Sequence, residues 1–120
     1  MRVESRRISP KNVTLQNYRA LVHLHLGDSL SAAGKIEDAR LAYLDSAAIS
    51  ESSLKLGHAS LLVTFMRANQ RLALNAVART DALAFAARAL QAARSDPAFA
   101  AAHGREVREV EEALLRIERR

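Results

Sequence analysis

The 120-residue chain has no cysteine and no tryptophan, and only two prolines, four glycines and five aromatic residues. Without cysteine there is no disulfide, no thiolate metal site and no cysteine nucleophile, and redox chemistry says nothing about compartment. Helix breakers and strand formers are both scarce, which excludes a β-sandwich, a barrel or a collagen-like chain and disfavours a doubly wound α/β fold. The longest apolar runs are Leu61–Val63 and, counting alanine, Ala82–Ala87. Both fall far short of the roughly 20 residues a bilayer-spanning helix needs, so no membrane partner is expected. The opening MRVESRRISP carries charge but no apolar core of a signal peptide, so the cytoplasm is the default expectation. The phosphate-loop pattern GxxxxGK[ST], the dinucleotide pattern GxGxxG, the zinc pattern HExxH and a serine nucleophile elbow are all missing. No cofactor, no metal and no enzymatic activity are therefore expected.

What is present is alanine and leucine, 24 and 17 residues, the two strongest helix formers. Lysine and arginine number 18 against 13 acidic residues, a net charge of +5, and arginine supplies 15 of the 18. A bacterial genome biased toward G and C would account for both the arginine and the alanine, and is the plain expectation. The alternative is attraction to acidic protein or nucleic acid. The charges are dispersed. Only Arg2, Arg6, Arg7 and Lys11 cluster, and no aromatic-interleaved basic face or recognition helix is visible, which counts against nucleic acid.

Apolar spacing divides the chain into a flexible segment, residues 1–9, and a single all-α domain, residues 10–120, of five helices in antiparallel pairs. The first helix starts at Pro10 and ends at Gly34, with Leu15, Tyr18, Val22, Leu26, Leu30 and Ala33 on one face. The second starts near Lys35 with Glu37 and Asp38 in its first turn and breaks at residues 50–53 (SESS). The third runs from Leu54 or His58 to Arg79. The fourth, Asp81–Arg94, is apolar on two sides and reads as sandwiched. Ser95-Asp96-Pro97 caps a fifth helix that continues to the C-terminus.

The pair of helices over residues 20–50 carries Leu26-Gly27 followed by Leu30, then Gly34, then Ala39 and Tyr43 in an A-x3-F relation. This resembles a tetratricopeptide repeat, in which small residues let two helices approach and bulky ones fill the space beside the contact. Leu26 and Tyr43 are the bulky pair here. His23 stands at the usual tryptophan, Ser46 at the second alanine and Glu51 at the proline. Aligning Ala86, Leu90, Ala93 and Pro97 as a second copy puts Leu74 at the glycine, with a register of 47 residues rather than the family's 34. An ordinary helical hairpin is the alternative. The resemblance implies a right-handed tetratricopeptide-like array in which the last helix acts as a cap.

The resemblance also implies a non-catalytic protein–protein interaction module, an adaptor or regulator. Its concave surface would carry Leu21, Leu24, Asp28 and Ser31 from the first helix. Leu24 and Asp28 stand where chaperone-tail binders place basic clamp residues, so that clamp is missing. In the second-copy register, Arg71 and Asn75 take those positions. With Arg67 and Arg79 they recur every four residues, a stripe suited to an acidic peptide or protein segment. A solvated face is the plain alternative. Val107, Val110, Leu114 and Ile117 have the 3/4 spacing of a coiled-coil seam. They could pair two chains into a homodimeric helical bundle, a scaffold or regulator with nucleic-acid contact as its variant, or could dock within the chain. Of the four histidines, His25 could meet Asp28 at i,i+3, read as a surface hydrogen bond rather than a metal site.

Overall fold

The computed structural model describes residues 10–55, 61–76 and 78–119. The segment 1–9, expected to be flexible, and His58, offered as a helix start, lie outside them. Among the described residues all regular structure is helical: α1 (Pro10–Ala32), α2 (Ile36–Lys55), α3 (Leu62–Asn75), α4 (Arg79–Arg94), α5 (Pro97–Ala102) and α6 (Gly104–Glu118). Consecutive long helices pack on one another. In addition α3 touches α1 on one side and α6 on the other, so α1, α3 and α6 form one layer and α2 and α4 a second. The smallest dimension, 21 Å, is two helix diameters. No described helix is long and apolar enough to cross a membrane.

α1 and α2 form the hairpin that the spacing predicts. Gly34, with φ +80°, makes the turn, and the Lys35 N–H donates to Leu30 O at 2.8 Å. The two helices meet through small residues. Ala20 and Ala39 are fully buried, the Ser46 hydroxyl donates to Ala20 O at 2.8 Å, and the Ser50 hydroxyl donates to Ser46 O at 2.8 Å. Ser46, Ser50 and Ser53 recur at steps of four and three on the inner side of α2, all buried. The serine run is therefore packing surface rather than a break, and α2 passes through it to Lys55.

The buried side of α1 is Ala20, Leu24 and Gly27. Of the residues that the spacing puts on one face of α1, Leu15, Tyr18, Val22 and Leu26 point outward, with 53, 65, 60 and 46% exposure. Leu26 accordingly does not fill space beside the helix contact. Tyr43, 1% exposed, fills it alone.

The helix enclosed on several sides is α3. Leu62, Thr64, Met66, Ala68, Asn69, Gln70, Leu72 and Ala73 are all buried. α4 keeps an exposed side at Ala84, Ala87, Arg88, Gln91 and Arg94. α3 ends at Asn75, earlier than its spacing suggests, because Ala76 and Ala78 are extended, with ψ of 137° and 132°. The carbonyl of Asn75 accepts instead from Arg40 Nε of α2, at 3.2 Å. The fifth helix of the sequence reading is two. Asp96 caps α5 by accepting from the Ala98 and Phe99 N–H groups, the chain breaks at His103, and α6 starts at Gly104.

The last helix docks within the chain. Val110 joins Met66, Ala89, Leu90 and Ala93, with Val107 and Leu114 against them, while Ile117 joins Ala73, Ala82 and Ala86. Of the two uses the spacing allows for this seam, pairing two chains or docking within one, the structure shows the second: α3 and α4 fill it. Val110 and Ile117 retain 1 and 0% exposure.

Candidate interaction surface on α1, α3 and α6

Three helices meet at Asp28. Its Oδ1 accepts from the Tyr43 hydroxyl at 2.6 Å and from Arg71 Nε at 3.2 Å, joining α1, α2 and α3 at one carboxylate oxygen. Gly27 makes this arrangement feasible: a Cβ there would lie 2.5 Å from Tyr43 Cε1, so only glycine lets the ring cross α1 at this level. Burial, then the hydrogen bond to Asp28 and its charge, push the Tyr43 phenol well above its ordinary value, while Arg71 pulls the other way. The phenol therefore stays protonated and donates to the carboxylate.

One turn before Arg71 on α3, Arg67 Nη2 reaches Glu106 Oε1 of α6 at 3.5 Å. Glu106 also faces His103 Nδ1 at 3.7 Å. Arg67 and Arg71 thus bridge α3 to its two neighbours in the same layer. Arg71 Nη1 also donates to Gln70 Oε1 at 2.9 Å, and the Arg67 and Arg71 side chains stay 42 and 31% exposed. Such pairs are weak in water, about 0–1 kcal/mol each, and an incoming carboxylate can compete for them.

The structure separates the residues singled out from sequence. Asp28, Arg67 and Arg71 come together on the α1–α3–α6 surface. Asn75 shares their helix, but its side-chain amide donates to Arg71 O at 2.8 Å. Leu24, by contrast, is 3% exposed, packed with Ala39, Tyr43, Ala68 and Leu72, and cannot line an open surface. Arg79 does not continue the stripe either. It is the first residue of α4, and its Nη2 meets Glu118 O at 3.4 Å. His25 and Asp28 are not paired, since Asp28 turns to Tyr43 and Arg71. Among the described residues no three His, Asp or Glu side chains are placed to hold a metal.

Sequence reasoning missed Glu106, the acidic partner of Arg67, whose signal was its place beside Arg105 at the start of a charged helix. It also missed a groove on the opposite layer. There a cavity of about 600 Å³ is lined by apolar Leu54, Leu62, Phe65 and Ala92 together with charged Glu51, Lys55, Arg88 and Asp96. Arg88 lies 5.5 Å from the Phe85 ring centroid at its edge. The groove's lining comes from three helices and the turn after α4, a meeting that no local spacing encodes.

No protein-family model, curated protein or solved structure matches the chain.

Proposed function

We propose that this chain is a non-catalytic protein–protein interaction module, a short tetratricopeptide-like helical array with α6 as its cap, that docks an acidic peptide or protein segment on the α1–α3–α6 surface. The observation that carries this reading is the pair of half-exposed guanidiniums, Arg67 and Arg71, one turn apart on α3 and each already on a carboxylate of the chain. The resident Asp28 and Glu106 mark where a ligand's carboxylates would sit, and planar guanidiniums suit bidentate capture of them. Several features support the repeat-like part of the reading. The layers alternate in chain order, Gly27 and Ala39 stand at the close contact, Gly34 stands in the turn, and α6 turns a charged side outward.

The test is fluorescence anisotropy with a labelled glutamate-rich peptide and a lysine-rich peptide as control. The acidic peptide alone is expected to bind, and raising salt weakens it. Arg67→Ala and Arg71→Ala each cut affinity about tenfold, the loss of one charge-assisted contact. Asp28→Asn, which removes the resident competitor, tightens binding. Affinity unchanged in all three variants would sink the proposal.

A further inference from the structure

The two ends of the helical stack are unlike. At one end, the side of α6 turned away from α4 carries Arg105, Arg108, Glu109, Glu112 and Arg116, all exposed. A terminal helix with a charged outer side closes a stack. At the other end, the side of α1 turned away from α2 is apolar: Leu15, Tyr18, Val22 and Leu26 are 46–65% exposed. At 100° per residue these four fall within about 80° of arc, one stripe on one helix. Their exposed area comes to about 400 Å², the size of the largest apolar patch on a typical monomer, which is often functional.

We propose that a second copy of this chain covers the stripe, the two α1 helices packing antiparallel about a two-fold axis level with residues 20–21. The spacing is self-complementary about that point. Leu15 of one copy falls opposite Leu26 of the other, and Tyr18 and Val22 interleave with their counterparts. The charge at the edge also agrees. Arg19 is exposed on the flank of α1 that holds His23, and the carboxylate on that flank is Asp45 of α2, 65% exposed and 4.0 Å from His23 Nδ1. A two-fold axis in the interface plane joins like flanks and brings Arg19 of each copy level with His23 of the other, on the flank where Asp45 lies. Two reciprocal attractions result.

Head-to-tail stacking would set the apolar stripe against the charged side of α6. The association therefore closes at two copies. The stripe supplies about half of the ~800 Å² per partner of a standard interface, and the flanks of a helix about 34 Å long supply more. This predicts a dimer of micromolar rather than nanomolar strength. The proposal is independent of the acidic-segment reading, because Arg67 and Arg71 lie on α3, away from the stripe.

Sedimentation velocity from about 1 to about 100 μM brackets a micromolar constant. The expected result is a monomer–dimer equilibrium that Val22→Asp weakens by at least about a hundredfold and Leu115→Asp, at an exposed site on α6, leaves unchanged. Arg19→Glu weakens it and Arg19→Glu with Asp45→Arg restores it. Because the chain has no cysteine, single replacements report geometry directly. Val22→Cys is expected to form an interchain disulfide on mild oxidation. Leu26→Cys is not, since antiparallel packing sets the two copies of that position about 16 Å apart along the axis. A chain that stays monomeric, a dimer indifferent to Val22→Asp, or cross-linking through Leu26→Cys but not Val22→Cys would overturn the proposal. So would a dimer that forms only after residues 1–9 are removed, because the chain's own N-terminal segment would then be the cover.

Discussion

Tyr43 does three things with one side chain. Its ring fills the gap over Gly27, its hydroxyl donates to Asp28, and through Asp28 it is tied to Arg71 of α3. The phenol's raised pKa has a stability consequence. A group held above its unfolded value, near 10 for tyrosine, stabilises the fold fully below that pH and loses this contribution as pH rises above it. Thermal melts are therefore expected to fall as pH climbs from about 9.5 to about 11.5, and Tyr43→Phe is expected to flatten that decline. At pH 7 the same variant costs about 1 kcal/mol, the lost hydrogen bond. An alkaline decline equally steep in Tyr43→Phe would show that another group causes it. Ala39 and Tyr43 were legible as partners in a tight helix contact because their spacing puts both on one side of α2. Asp28 was legible as a surface residue, but its bond to Tyr43 was not, since it joins residues 15 apart whose meeting depends on how the hairpin closes.

At the scale of elements, the boundaries that carry a local chemical signal were the legible ones, the end of α1 at Gly34 and the start of α5 at Asp96-Pro97. Asp96 accepts from two N–H groups of α5, and the following proline occupies the first helical position. Asp96→Ala is expected to cost about 1 kcal/mol in urea unfolding, the usual loss for an N-cap. A change within experimental error would mean that Pro97 alone sets the start. Two other boundaries moved for tertiary reasons. α2 continues through Ser50–Ser53 because a small buried hydroxyl side chain such as Ser50 can turn inward and satisfy itself on a carbonyl of its own helix. α3 stops at Asn75 with no glycine or proline to stop it, where Arg40 of another helix takes its carbonyl.

For the molecule as a whole, α6 supplies the wall that completes the core around α3 and α4. Ile117, fully buried with Ala73, Ala82 and Ala86, is expected to cost about 3 kcal/mol on replacement by alanine, transfer and cavity terms together. Leu115, two residues away and 50% exposed, is expected to change stability by no more than about 0.5 kcal/mol on the same replacement. Equal effects of the two in denaturant unfolding would mean that α6 is not docked as described. The 3/4 spacing of α6 identified its apolar side correctly, but a seam of that length serves a neighbour in the same chain as well as one in another.

Composition and periodicity alone determined that the chain is helical, that α1 and α2 form a hairpin about Gly34, and which residues share a side of each helix. These are local consequences of backbone propensity and of 3.6 residues per turn. Tertiary structure alone decided which side of α1 is buried. α1 carries two sides able to pack, and the one chosen is Ala20, Leu24 and Gly27, because a surface of small residues lets α2 come close enough for the Tyr43 ring to fill the contact. Dispersion falls off within an ångström of that distance, so the close approach wins and the bulkier stripe of Leu15, Tyr18, Val22 and Leu26 is left facing outward.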